Sequence, residues 1–230
     1  ARGDRNEALR RYQSAYEQLP QRPEKIHFIT RISEELRALG RLDEALEYLT
    51  SRPEDEQQEF AVVFQIAHCH RALGDRDQAL AWFEKAAARQ PDHIGSRLAI
   101  IAELRQQRRF DQAEAACAAA LSEAPLDPWV LLAHGENARA RGDRKEALRR
   151  YQSAYEQLPD RPEKIHFITR ISEELRALGR LDEALKHLTS CREDEQQQFA
   201  VVFQIAHCYR ALGDRDQALA WFEKAAARQP

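Results

Sequence analysis

The segment Phe199–Pro230 reads FAVVFQIAHCYRALGDRDQALAWFEKAAARQP. Val202, Ile205, Ala206 and Tyr209 fall at i, i+3, i+4 and i+7, one face of an amphipathic helix. Gly213 breaks that helix, and Asp214 and Asp216 beside it are candidates for the turn and the next N-cap. Ala218, Leu219, Phe222 and Ala225 share a face of a second helix, which Pro230 stops. The segment is therefore a helix–turn–helix hairpin, with small Ala residues where its two helices cross.

The hairpin is one element of a larger repetition. Ala1–Pro91 returns as Ala140–Pro230, shifted by 139 residues with 83 of 91 positions identical. The eight differences are Asn6/Lys145, Gln21/Asp160, Glu47/Lys186, Tyr48/His187, Arg52/Cys191, Pro53/Arg192, Glu59/Gln198 and His70/Tyr209. Leu39-Gly40, Leu73-Gly74, Leu178-Gly179 and Leu212-Gly213 each close an apolar segment, 34 residues apart within each copy. Repetition at a fixed short period points to an array of hairpins rather than to a fold built around one pocket.

The bulk composition agrees. The chain is 43% apolar and 32% charged, with 8 Gly and 9 Pro in 230 residues, a balance that favours helices over strands or disorder. A net charge of -3 gives no overall attraction to nucleic acid or to anionic membranes. No apolar run is long enough for a membrane span and no signal peptide opens the chain, so a cytoplasmic location is expected. Met is absent even at position 1, which suits a piece excised from a longer protein whose targeting signals lie elsewhere. Arg outnumbers Lys 29 to 6, the bias of a GC-rich, bacterial source. Cys69, Cys117, Cys191 and Cys208 lack zinc-site spacing and read as reduced, buried thiols.

Ala218, Phe222, Ala225 and Pro230 have counterparts in Ala79, Phe83, Ala86 and Pro91, and in Ala147, Tyr151, Ala154 and Pro159. With the Leu-Gly pair this pattern resembles the tetratricopeptide repeat, and the resemblance covers nearly the whole chain. It implies an all-α fold, a right-handed α-solenoid or superhelix of helix–turn–helix repeats, with the first helix of each repeat lining an inner groove. On this reading residues 1–25 are a half repeat, followed by repeats at 26–59, 60–93, 94–127, 128–164, 165–198 and 199–230 in a single array. Three repeats depart from the pattern. Arg108 replaces the turn Gly in the third full-length stretch, and acidic, Gln-rich junctions such as Glu54-Asp55-Glu56-Gln57-Gln58 replace the closing Pro. Looser hairpins are expected there.

Counting from the start of each repeat, positions 4, 7, 8 and 11 form the core stripe of the first helix. At about 100° per residue, positions 2, 5, 9 and 12 form a neighbouring stripe. The resemblance implies that this second stripe faces the groove. It contains Arg37, Arg71, Arg105, Arg139, Arg176 and Arg210, one per repeat at position 12. Such a ladder suits a track for an acidic protein or peptide partner, because guanidinium binds carboxylate in bidentate fashion. It equally suits a structural role, with each Arg closing its helix dipole or pairing with a Glu three residues earlier, as Glu34, Glu136 and Glu173 allow. Phe64 and Phe203 on the same stripe are candidate anchors, with His68 and His207 beside them, and Trp129 is the weaker candidate because it starts its helix. Glu34-Glu35 and Glu173-Glu174 read as one solvated acidic face. None of the eight copy differences falls on the stripe, which eight scattered changes would do as often as not.

No phosphate loop, nucleophile elbow, HExxH or EF-hand loop is present. His68 and His70 point apart on a helix and the second copy replaces His70 by Tyr209, so no metal is expected and no cofactor. The clamp of Lys, Asn and Arg by which some tetratricopeptide domains hold a terminal carboxylate is missing. The sequence is read as a non-catalytic protein-interaction scaffold. The alternatives are a recognition or assembly arm of a larger enzyme or export machine, and a self-assembling solenoid whose ends stack head to tail.

Overall fold

The computed structural model of the chain describes residues 2–19, 22–160 and 162–228. Pro230, read above as a helix stop, and Gln21, one of the eight differing positions, lie outside the described residues. The described elements are all helices: α1 (Arg2–Gln18), α2 (Arg22–Ala38), α3 (Leu42–Thr50), α4 (Glu54–Gln57), α5 (Phe60–Leu73), α6 (Arg76–Arg89) and α7 (Ile94–Gln106). They continue with α8 (Phe110–Glu123), α9 (Pro128–Ala140), α10 (Arg144–Gln157), α11 (Lys164–Ala177), α12 (Leu181–Thr189), α13 (Glu193–Gln196), α14 (Phe199–Leu212) and α15 (Arg215–Ala226). The chain divides into two compact units, Ala1–Gln107 and Arg108–Pro230.

Local chemistry sets the helix ends. At α5 the helix closes on Gly74 at φ 84, and α14 closes the same way on Gly213. A residue without Cβ adopts this left-handed cap at little cost. Asp75 and Asp214 then cap α6 and α15 by accepting from the Gln78 and Gln217 backbone N–H groups at 3.2 and 3.0 Å. Asp127 caps α9 with Pro128 in its first turn. Arg108 takes φ 60, so the backbone keeps the left-handed turn even where the sequence lacks glycine.

In the first unit, Ile29, Ile32 and Leu36 of α2 pack with Ala45 and Leu49 of α3 and with Val62, Ile66 and Cys69 of α5. A second cluster joins Ala67 of α5, Ala79 and Phe83 of α6, and Ala99 of α7. In the second unit a single core runs through α9 to α14, from Ala138 and Tyr151 through Phe167, Ile168 and Ile171 to Val201 and Cys208. A Cβ on Gly135 would fall 2.1 Å from Tyr151 Cε1, so the absence of a side chain lets α9 and α10 meet. All four cysteines are free and buried.

The acidic junctions differ from the looseness expected of them. Glu54–Gln57 and Glu193–Gln196 form the short helices α4 and α13, with Glu56 and Glu195 buried. Gln57 Nε2 donates to the Thr50 carbonyl at 2.8 Å, and Gln196 Nε2 does the same to Thr189. These bonds tie off the ends of α3 and α12, a function the missing prolines would otherwise serve.

Candidate functional site

The first helices are α2, α5 and α7 in one unit and α9, α11 and α14 in the other. On none of them is a residue of the position 2, 5, 9 or 12 stripe fully buried. Core positions behave oppositely: Ile29, Ile32, Ser33 and Leu36 of α2 are buried, as are Ile168, Ile171, Ser172 and Leu175 of α11.

Arg37, Arg71 and Arg139 of position 12 are engaged inside the stack. Arg71 Nε donates to Glu103 of α7 at 2.6 Å, and Arg76 approaches the other carboxylate oxygen at 3.3 Å. In the second unit Arg139 and Arg144 hold Glu174 of α11 at 3.2 and 3.0 Å. Glu103 is 2% exposed and Glu174 0%, so each carboxylate is sealed between two guanidinium groups. Arg37 donates to Gln65 at 2.8 Å, and Gln65 in turn donates to Glu34 at 3.0 Å. Arg176, also half-buried, lies close enough to His207 and Cys208 to act on both electrostatically. Arg105 is half-buried and Arg210 exposed.

Two sequence expectations are corrected here. Glu34 and Glu173 pair with Arg31 and Arg170, three residues before them, at 3.0 and 2.7 Å rather than with the arginines of position 12. Glu174 is not part of a solvated acidic face. Its burial costs desolvation, which the paired Arg139 and Arg144 offset. In the second unit these contacts link up, because Glu136 meets both Arg139 at 3.4 Å and Arg170 at 2.8 Å.

Sequence reasoning missed this position 10 carboxylate, although a signal was available. A Gly-Asp-Arg turn at residues 3–5, 74–76 and 142–144 is followed in the next first helix by Glu35, Glu103 and Glu174. The Arg5–Glu35 pair, at 3.1 Å, completes the set. Where the turn reads Gly-Arg-Leu, at 40–42 and 179–181, the next helix has Cys69 or Cys208 at position 10 instead.

The aromatic candidates also separate. Phe64 packs edge-on to Phe83 with ring centroids 5.5 Å apart and touches His93 at 5.1 Å, so it is a packing residue. His68 sits edge-on to Phe64 and Phe83, at 4.7 and 5.2 Å. Burial, with help from Arg37 and Arg71, pushes its imidazole down to about 4. Phe203 is 37% exposed and Trp129, the weaker candidate by sequence, is 41% exposed. Trp129 lies 5.1 Å from the exposed His166, the two holding position 2 on successive first helices. Leu132 and Thr169, at position 5 of the same two helices, are half-buried.

Behind the stripe, Glu114 of α8 accepts from His134 and Asn137 of α9 at 2.8 Å each and from both terminal nitrogens of Arg150. Burial opposes its charge, but these hydrogen bonds hold the carboxylate down to about 2. Burial pushes the Cys69 and Cys191 thiols up to about 11, which suits inert packing rather than nucleophilic chemistry. Among the described residues no group of three or more His, Cys, Asp or Glu is arranged to hold a metal ion. Nor is any described helix long and apolar enough to cross a membrane.

Comparison with protein families finds four matches, described as tetratricopeptide repeat, over residues 1–63, 61–93, 128–153 and 175–230. No curated protein matches the chain. Among solved structures, a tetratricopeptide repeat protein from Parabacteroides merdae superposes with a TM-score of 0.68 at 18% identity, over 99% of this chain and 88% of that one. PilW, a type IV pilus biogenesis factor, gives 0.63 at 15% identity over 88% and 93% of the two chains. A thermophilic protein of the same repeat type from Thermus thermophilus gives 0.54 at 21% identity over 88% and 97%. At these identities the likeness is one of fold.

Proposed function

Since the chain belongs to the tetratricopeptide repeat family, we propose that it is a non-catalytic scaffold that holds a segment of a partner protein against its first helices. The observation that supports this reading is the stripe at positions 2, 5, 9 and 12, no residue of which is buried on any first helix, while the adjoining stripe is wholly buried on α2 and α11. Recognition falls on positions 2 and 5, with Trp129, His166 and Phe203 as the contacts in the second unit. An exposed tryptophan beside an imidazole offers a flat apolar surface with polar edges, the composition of an interface anchor. The arginine ladder is assigned to stacking, because Arg71 and Arg139 are occupied by buried carboxylates.

The test is retention of partners by the immobilised protein, compared between the native chain and a Trp129→Ala/His166→Ala variant. Both side chains are exposed, so the fold should survive the change. A partner bound through the stripe should lose at least about tenfold in affinity, a loss typical of hot-spot truncation. Unchanged retention would remove the stripe from the binding role.

A further inference from the structure

In the second unit the loop from α10 to α11 and the start of α13 border a cavity of about 570 Å³. Asp160, Glu163, His166, Arg192, Asp194 and Glu195 are among its lining residues. That volume falls in the range of ligand sites. Among the described lining residues, four carboxylates face one guanidinium. Arg192 is shared by three of them: it pairs with Asp160 and lies 3.4 Å from both Asp194 and Glu195. Glu195 also serves the fold, accepting from the Arg192 backbone N–H at 3.1 Å. Glu163 has no such duty. It stands at the N-cap of α11 without making a capping bond, and its Oε2, shut off from solvent, accepts no hydrogen bond. A buried acceptor without a donor is costly, so a ligand that donates to it gains by relieving that cost. His166 also meets Trp129, with ring centroids 5.1 Å apart, which joins the cavity to the exposed row of the stripe. Asp160 and Arg192 stand where the first copy has Gln21 and Pro53, so this ion pair belongs to the second copy alone.

We propose that this cavity receives a lysine or arginine side chain of the partner segment, with Glu163 accepting the cation's hydrogen bond and Trp129 offering its indole face alongside. The proposal rests on the reading of the stripe as the docking face and narrows it. The segment held there is basic, the opposite of the acidic partner that the arginine ladder suggests from sequence. Carboxylates outnumber the resident guanidinium, so an incoming cation meets a site that is still negative, and an acidic segment is repelled. Indole is the best of the aromatic faces for a cation. Arg192 shows what the cavity accepts: a guanidinium held among carboxylate oxygens from the α10–α11 loop and from α13. Arg139 and Arg170, on the same two helices as Trp129 and His166, are each paired with glutamates and do not reverse this charge.

The test titrates the full chain into short fluorescein-labelled peptides and follows anisotropy. The peptides share one leucine- and serine-containing frame and carry lysine, glutamine or glutamate at the remaining positions. The lysine peptide should bind at least about tenfold tighter than the glutamine peptide, with the glutamate peptide weakest. Glu163→Gln should remove most of that preference and leave the glutamine peptide unchanged. Arg192→Gln, which takes away the resident cation, should tighten the lysine peptide. Trp129→Ala should weaken all three, and that common loss reports on the stripe, whereas the lysine preference reports on the cavity. Equal affinity for the three peptides overturns the proposal and leaves the stripe in place. So does a lysine preference that Glu163→Gln does not reduce. Absence of saturable binding by the lysine peptide overturns the proposal as well.

Discussion

Glu174 and Glu103 are acidic residues inside a stack of apolar helices, each held by two arginines from the preceding hairpin. Glu174→Gln should destabilise the protein by about 2 kcal/mol, below the usual figure for a broken buried pair because both arginines keep partial solvent contact. Urea denaturation measures this, and the same change in an Arg139→Gln/Arg144→Gln background should cost less. A full cost in that background would show the pairing to be incidental. His68 makes a second residue-scale prediction. Its imidazole is held at about 4 in the fold, against an ordinary value near 6.5. Between pH 6.5 and 4 the unfolded chain takes up a proton that the folded chain refuses, so stability falls as pH drops through that window by about 2 kcal/mol. The contribution is complete above pH 6.5 and does not decline further below 4. His68→Gln should flatten the fall in urea midpoint between pH 7 and 4.5, and an unaltered slope would place the effect elsewhere. Glu114, held near 2, gives up its own contribution lower, as pH falls from about 4 to 2. Neither the sealing of Glu174 nor the seclusion of His68 can be read from neighbours in sequence. The groups responsible lie about one repeat away along the chain, from Arg144 to Glu174 and from Arg37 to His68.

At the scale of the element, the turns show how far local sequence dictates shape. Leu-Gly at 73–74 and 212–213 announces a left-handed helix end, and the structure has it at φ 84. Arg108 holds the same region at φ 60 with a Cβ present, a conformation that costs an L-residue about 1 kcal/mol. Arg108→Gly should therefore stabilise the protein by about 0.5–1 kcal/mol, measured as a raised unfolding midpoint. A lowered midpoint would mean that the arginine side chain contributes more than its backbone costs. Gly135→Ala should do the reverse, costing about 1–3 kcal/mol because the new methyl group clashes with the edge of the Tyr151 ring. The helical segments, their caps and the core stripe are legible in the sequence because each rests on residues within one or two turns. The short helices α4 and α13 were not, since their acidic, Gln-rich composition resembles a loop until Gln57 and Gln196 reach back to the preceding helices.

Across the whole molecule, hairpins that cannot bury their own faces are gathered into two units, each with its own core. A fragment of residues 108–230 contains three full hairpins and the continuous cluster from Ala138 to Cys208. It should fold by itself, with helical circular dichroism and a cooperative urea transition. A non-cooperative melt would show that this core depends on residues 1–107. The sequence by itself determined the all-α class, the repeat family, the helix ends and the stripe kept out of the core. These follow from periodicities of a few residues and from turn chemistry, which act locally. Which arginines are free was decided only by tertiary structure, as was the assignment of exposure to Trp129 rather than Phe64. Those outcomes depend on what the neighbouring hairpin places opposite each side chain: a buried glutamate faces Arg71, and His93 and Phe83 cover Phe64. The two copies make the point physically, for Leu80 and Phe83 are buried at α5–α6 while their copies Leu219 and Phe222 are exposed and half-buried at α14–α15. Burial belongs to the pair of surfaces in contact, and one strand of sequence specifies only one of them.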